Sequence, residues 1–261
     1  MKIDMLDRVL YWKWALSSYN DTVIHRDTSD KLTVILPYFS KERFRNINHM
    51  IRSLLRCDFI SEIIVTNQNP DFDIIPYVRV KSPSLTVLNN NEKRHGSGYR
   101  WTIAKNIDSD YFIVIDDDFL VRPEQLAHLF DHLVKDPDIP HGLTGKLDVD
   151  GKYCRNMNAE VEIINQIYAV TKKHVDTYFY ISEKIMEKYP EIFPIIEDCA
   201  DDIIISMAGS DRPLIHDVGY NLRCYTAKKK GIALHKDNSF IKKRIALKNA
   251  LREEFGDIPV T

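Results

Sequence analysis

Tyr111-Phe-Ile-Val-Ile-Asp-Asp-Asp118 is the stretch whose reading decides the fold. Five apolar or aromatic residues stand in a row, three of them β-branched, with no polar alternation. The run is too short for a buried helix and reads as a strand covered on both faces. Such strands belong to parallel sheets flanked by helices. Working upstream, Leu32-Thr-Val-Ile-Leu-Pro-Tyr-Phe39 and Glu62-Ile-Ile-Val-Thr-Asn67 have the same character. Between them Ser40 opens a helix whose apolar residues, Phe44, Ile47, Met50, Ile51, Leu54 and Leu55, recur at period 3.6. Shorter strands are expected near 77–81 and 85–88, then a polar loop at 89–98 and a helix near 99–106. Alternating strands and helices give the class α/β. In such sheets ligands bind beyond the carboxyl ends of the strands, where Pro37, Tyr38, Asn67 and Asp116 fall.

Downstream, a helix around 123–135 begins at Pro123. Residues 140–172 look β-rich and irregular. Helices near 181–189 and 198–209, a strand near 213–217 and a last helix near 237–254 follow. Residues 4–18 carry apolar side chains at helical spacing; they read as a helix capping the domain, because the basic face of a membrane-surface helix is thin. The expected organisation is a helical extension, 1–30, and a single domain, 31–261.

Bulk properties narrow the partners. The 261 residues are 44% apolar, 28% charged and 10% aromatic, with a net charge of −2. Nucleic-acid binders usually carry a basic surplus, so nucleic acid is not an expected partner. Four cysteines, Cys57, Cys154, Cys199 and Cys224, form no C-x-x-C pair, which points to reduced thiols. No apolar run approaches the ~18 residues of a membrane span, and the N-terminus lacks the apolar core of a signal peptide. The expectation is a soluble, cytoplasmic protein without a membrane span.

Two acidic groups carry the chemistry. Asp116, Asp117 and Asp118 repel one another unless a cation neutralises them. Hard carboxylate oxygens suit Mn²⁺ or Mg²⁺; the bland alternative is a solvated acidic turn. In Glu197-Asp-Cys-Ala-Asp-Asp202, Asp198, Asp201 and Asp202 stand at i, i+3 and i+4 and would share a helix face, serving chemistry or merely complementing a helix dipole. Arg100, Arg244 and Lys242-Lys243 are candidate anion ligands, since guanidinium groups match phosphate oxygens. The loop Lys93-Arg94-His95-Gly96-Ser97-Gly98 could cradle a phosphate but matches no phosphate-loop pattern. His235 is either a ligand or an ordinary polar histidine.

Taken in order, these segments resemble the exostosin-type glycosyltransferases, over about residues 31–260. The likeness rests on Thr33–Tyr38, Ile63–Asn67, Tyr111–Asp118, His141-Gly-Leu-Thr-Gly145, Cys199-Ala-Asp-Asp-Ile203 and Arg244 through Phe255-Gly-Asp-Ile-Pro259. The resemblance implies a GT-A fold: a mostly parallel central sheet flanked by helices, with a small second β-sheet. It implies a nucleotide-binding half, 31–120, and an acceptor-binding half, 121–261. It implies transfer of a sugar from a UDP-sugar, N-acetylglucosamine by family or xylose, to a glycan hydroxyl. Mn²⁺ would sit on Asp118. Pro37, Tyr38, Asn67, Arg100, Asp116, Asp117 and Arg244 would hold the nucleotide sugar, and Asp202 with Asp201 would be catalytic. The rivals are a sugar-phosphate nucleotidyltransferase, whose glycine-rich basic signature is missing after the first strand, and an inactive sugar-binding scaffold.

Overall fold

Every residue of the first strand, β1 (Leu32–Tyr38), is buried, and so are four of the five in β4 (Tyr111–Ile115). The computed structural model describes residues 5–20, 22–27, 29–90, 92–224, 226 and 239–256. Helix α1 (Met5–Ser17) precedes β1. A 3-10 turn then leads into α2 (Ile47–Leu54), followed by β2 (Ile60–Asn67), β3 (Leu85–Asn89) and α3 (Tyr99–Lys105), which leads to β4. Beyond β4 come β5 (Phe119–Leu120), α4 (Pro123–Lys135), β6 (His141–Gly142), β7 (Thr144–Lys146), β8 (Tyr153–Arg155), β9 (Ala159–Glu160), β10 (Ile163–Ile164) and β11 (Ile167–Thr171). The remainder is α5 (Lys172–Lys188), the single turn α6 (Phe193–Ile195), a π-helical turn at Ile196–Ala200, α7 (Asp201–Ser206), β12 (Leu214–Ile215), β13 (Leu222–Arg223) and α8 (Phe240–Phe255).

Eight strands form the central sheet in the order β3-β2-β1-β4-β11-β6-β12-β9. Four of its pairings are parallel and three antiparallel, so it is mostly parallel. Small sheets β10-β7-β8 and β13-β5 lie beside it. Alternation along the strands sends side chains to opposite faces. Val34, Leu36, Ile63, Val65, Ile113 and Ile115 pack with α1, α2 and α4. Ile35, Ile64, Phe112 and Val114 pack against α3, α5, α7 and α8. Each fully buried branched side chain contributes roughly 1.5–3 kcal/mol. The N-terminal helix joins this core through Trp14, whose indole N–H donates to the Val121 carbonyl at 3.0 Å.

Several expected elements differ. Residues 77–81 form no strand. Asn48 takes their backbone instead, accepting from the N–H groups of Arg79 and Val80 and donating to the Tyr77 carbonyl. A side chain has thus replaced the ladder partner. Helix α5 starts nine residues before the expected 181, because Thr171 caps it by accepting from the His174 N–H. The helix from Ser40 opens as a 3-10 turn, Lys41–Asn46. The strand expected at 213–217 shrinks to two residues.

Candidate functional site

The carboxyl ends of β1 and β4 bring the acidic triplet beneath the backbone that follows Tyr38. The Phe39 N–H donates to Asp117 Oδ2 at 3.2 Å. Arg43, on the 3-10 turn, donates through Nη1 to Asp117 Oδ1. Its Nη2 lies 3.5 Å from Asp118 Oδ2, and its Nε donates to Thr226 Oγ1 at 3.0 Å. Tyr38 is buried against Phe44, and Pro37 is buried within β1. Asn67 spends its carboxamide on the turn after β2, bonding to Asn69, Phe72 and Asn89. Nearby, Gln68 is buried and its Nε2 has no partner among the described residues.

Arg100 joins the two acidic groups that lie far apart in sequence. Its Nη1 donates to Asp116 Oδ1 at 2.5 Å, and its Nε lies 3.2 Å from Asp201 Oδ2. The guanidinium stacks over the Tyr168 ring, 5.1 Å from its centroid. Asp201 also accepts from Ser97 Oγ at 2.5 Å and Trp101 Nε1 at 2.8 Å; it is 2% exposed. Asp202, one residue on, meets a different cation. Arg244 grips both its oxygens, Nη1 to Oδ1 at 2.5 Å and Nη2 to Oδ2 at 3.0 Å, and donates to the Cys199 carbonyl at 2.7 Å.

The spacing argument for a shared face fails for Asp198. The segment 196–200 is π-helical, and that wider turn takes Asp198 out of the α-helical register, leaving it exposed while Asp201 points inward. The Lys93–Gly98 loop also has a structural occupation. A Cβ on Gly96 would lie 2.2 Å from the Glu197 carbonyl oxygen, and the Gly98 N–H donates to that same oxygen at 2.9 Å. Glycine is there so that the loop can touch the π-turn. Lys242 and Lys243 are exposed. His235 and residues 257–259 lie outside the described residues.

The charges are unevenly matched. Burial pushes the Asp116 carboxyl up to about 7, against the pull of Arg100, with Asp118, Asp117 and Asp201 adding to the rise. Burial likewise raises Asp117, opposed by Arg43, and Asp201, opposed by Arg100. The directly ion-paired network holds five carboxylates, Asp116, Asp117, Asp118, Asp201 and Asp202, against three guanidinium groups, Arg43, Arg100 and Arg244. With every carboxyl ionised two negative charges would be left over, and the proton that Asp116 holds up to about pH 7 offsets part of that excess. Among the described residues no group of three or more His, Cys, Asp or Glu side chains is arranged to hold a metal by itself. The donor chemistry nonetheless fits one hard divalent cation: Asp118 is held only loosely by Arg43, whereas its two neighbours each take a close guanidinium bond. Such an ion would draw its remaining ligands from a bound molecule.

Beside Asp118 lies a polar cluster that sequence reasoning missed. Gln166 occupies the left-handed region, φ 68°, its carbonyl accepts from the Asp116 N–H at 2.8 Å, and Arg223 and Tyr153 hold its carboxamide. The Arg223 guanidinium also stacks on the Tyr153 ring. A glutamine held at positive φ next to an acidic turn is strained backbone. No sequence signal announced it. Arg43 was hidden for a different reason: it is one of several cations in Lys41–Arg45, and only folding shows which one turns inward.

Comparison with known proteins adds to this geometry. The sequence has no match among curated proteins. Among solved structures, the fold is similar to GalNAc-T7, a complex with UDP, GalNAc and Mn²⁺, at TM-score 0.52 and 12% identity over 75% of this chain and 43% of that one. It is also similar to the mannosyltransferase PcManGT from Pyrobaculum calidifontis, a complex with GDP-Man and Mn²⁺, at TM-score 0.52 and 13% identity over 93% of this chain and 71% of that one. The chain thus spans less than half of GalNAc-T7. At these identities the likeness concerns the GT-A fold. Residues 33–190, from β1 through the acidic triplet to just past α5, match the model of glycosyl transferase family 2. With that match running over more than half of its length, this chain belongs to glycosyl transferase family 2.

Proposed function

We propose that the protein transfers a sugar from a UDP-sugar to a hydroxyl of a glycan acceptor, with Mn²⁺ or Mg²⁺ as cofactor. The observation that carries this reading is the cluster of five carboxyl groups that shares only three guanidinium partners at the carboxyl edge of the sheet. Asp118 is the protein ligand for the cation, which when bound supplies countercharge to the departing diphosphate. Asp116, held by Arg100 through Oδ1, presents its other oxygen to ribose or sugar hydroxyls, and Asp117, with Oδ1 on Arg43 and Oδ2 on the Phe39 N–H, contributes to nucleotide-sugar binding by fixing the backbone after Tyr38. Pro37 and Tyr38 shape the floor through their backbone, and Asn67 acts through the turn it stabilises. Gln68, with its unspent buried Nε2, is the side chain to read the base.

In the second acidic group, Asp202 orients the transferred sugar or the attacking hydroxyl. Arg244, which grips Asp202, is preorganised to meet developing negative charge on the leaving group. Asp201 serves as a positioning residue, because all its bonding points into the protein. The exostosin-type resemblance makes UDP-N-acetylglucosamine the first donor to try, with UDP-xylose next. The test measures thermal shift with UDP, with and without Mn²⁺, followed by metal-dependent hydrolysis of a UDP-sugar panel. Stabilisation that needs both UDP and Mn²⁺, with slow donor hydrolysis, is expected. A response confined to nucleoside triphosphate plus sugar phosphate would assign a nucleotidyltransferase instead, and no response would leave a scaffold.

A further inference from the structure

Beside the acidic turn stands a cation, Arg223, that no described carboxylate pairs. Its strand, β13, runs antiparallel to β5 with Arg223 opposite Phe119, and the next N–H, that of Cys224, donates to the Asp118 carbonyl at 2.7 Å. Arg223 is thereby registered on the backbone that carries Asp118. Its guanidinium stacks on the Tyr153 ring, 5.6 Å from the centroid. Its Nε and Nη2 donate to the Gln166 carboxamide oxygen at 2.9 and 2.5 Å. Both partners are uncharged. Among the described residues, Arg43, Arg100 and Arg244 each have a carboxylate within ion-pair distance and Arg223 has none. A half-buried guanidinium held by a ring and a carboxamide is fixed in place without being neutralised. Gln166 occupies one edge of it, and the five-donor fork has N–H groups to offer a ligand.

We propose that Arg223 binds the outer phosphate of the donor's diphosphate, the one that carries the sugar, an inference that rests on the nucleotide-sugar reading above. The order of strands selects that phosphate over the inner one. Along the carboxyl edge the sheet runs β2-β1-β4-β11. Gln68, which reads the base, follows β2, and the Phe39 N–H that Asp117 holds follows β1. Asp118 lies beyond β4, and Gln166 precedes β11, opposite the end of β4. A donor laid across these strands from base to sugar meets Asp118 after the nucleoside and reaches the Gln166–Arg223 pair last. There the guanidinium fork matches phosphate oxygens. As the bond from the sugar's anomeric carbon to the phosphate oxygen breaks, its electron pair stays on that oxygen, and an unmatched cation already in place offsets the charge.

Calorimetry with Mn²⁺ and three probes, UDP, UMP and inorganic pyrophosphate, tests this. Arg223→Gln should weaken UDP and pyrophosphate by at least about tenfold, the loss of a charge-assisted phosphate contact. UMP, which lacks the outer phosphate, should change less than about twofold, and its retained binding shows that the variant is folded. Arg223→Lys keeps the charge without the fork and should fall between. Tyr153→Leu removes the ring from the guanidinium and should weaken UDP about threefold, whereas Tyr153→Phe keeps the ring and should not. UDP affinity unchanged in Arg223→Gln overturns the proposal, and a raised KM for the acceptor in that variant would assign the arginine to the acceptor instead. Equal weakening of UMP and UDP overturns it as well, since the contact would then lie on the inner phosphate or the nucleoside. The pyrophosphate arm separates this outcome from the nucleotide reading. Wild-type protein that binds pyrophosphate and not UDP refutes the uridine donor, and the role of Arg223 then stands or falls on the loss of pyrophosphate binding in Arg223→Gln.

Discussion

Two buried polar clusters sit in this molecule, and only one is left incomplete. At the edge of β6 and β12, His141 donates through Nε2 to the Asp136 carbonyl at 2.8 Å. Its Nδ1 therefore accepts from His216 Nε2 at 2.8 Å. His132 stacks on His216 with centroids 3.6 Å apart and planes at 8°. Burial lowers the pKa of all three, so the cluster is neutral and needs nothing from outside. At the carboxyl edge of β4 the bonding is equally dense, yet five carboxyl groups share three guanidinium partners and Asp116 is pushed up to about 7. Density of polar contacts does not mark a site; unbalanced charge does.

The largest expected effect breaks the acidic cluster. Asp118→Asn should remove metal-dependent UDP binding, seen by titration calorimetry with and without Mn²⁺. Asp202→Asn should leave UDP affinity within a few-fold and lower transfer by about 10²–10³, the scale of losing one preorganised electrostatic partner. UDP affinity untouched by the first change would remove Asp118 from the metal, and full transfer after the second would remove Asp202 from the reaction.

Next in size is the bridge between the two acidic groups. Arg100→Met leaves Asp116 and Asp201 buried without their shared cation and should cost about 3–5 kcal/mol in urea unfolding. Arg100→Lys keeps the charge, loses the fork and should fall between. A cost below about 1 kcal/mol for the methionine would mean that the bridge is not what joins the two halves.

Acid sharpens the contrast, because the clusters answer it with opposite signs. Burial depresses His216 to about 3, with His132 and His141 adding, and His174, nearby on α5, to about 4. The unfolded chain, with histidines near 6.5, takes up protons first. Their stabilisation is therefore full above about pH 6.5 and declines as pH falls toward the folded values. Asp116 works the other way. Raised to about 7, it binds its proton in the folded state before the unfolded one does, so its destabilisation is full above that value and is relieved on acidification. His216→Gln should flatten the loss of stability between pH 7 and 5. Asp116→Asn should stabilise the ligand-free protein at pH 8 and do little at pH 4, as read by urea midpoints.

The sequence revealed the frame of this comparison and not its contents. The run 111–115 and the helix 123–135 were readable because apolar period and a proline at the first turn are local signals. Residues 77–81 misled because the bonding partner of their backbone, Asn48, lies about thirty positions away. Asp201 and Asp202 looked equivalent, being neighbours in one acidic run. Helix geometry turns adjacent residues about 100° apart, and the π-turn before them decides which one meets Trp101 and which meets Arg244. Arg43, Gln166 and Arg223 were invisible, since their roles arise from chain crossings that no local pattern records.

The smallest expected effect tests whether Asp201 belongs with the reacting groups or with the supporting frame. Its carboxylate takes bonds from Ser97, Trp101 and Arg100. Removing the serine hydroxyl leaves two charge-assisted partners in place. Ser97→Ala should therefore cost only about 1–2 kcal/mol of stability. A carboxylate that merely holds Arg100 in line tolerates that loss, and transfer should stay within about twofold at every pH. A carboxylate that moves a proton would not, because a lost hydrogen bond to its charged form raises its pKa. A basic-ward displacement of the pH profile of transfer in Ser97→Ala would therefore promote Asp201 from the frame to the chemistry.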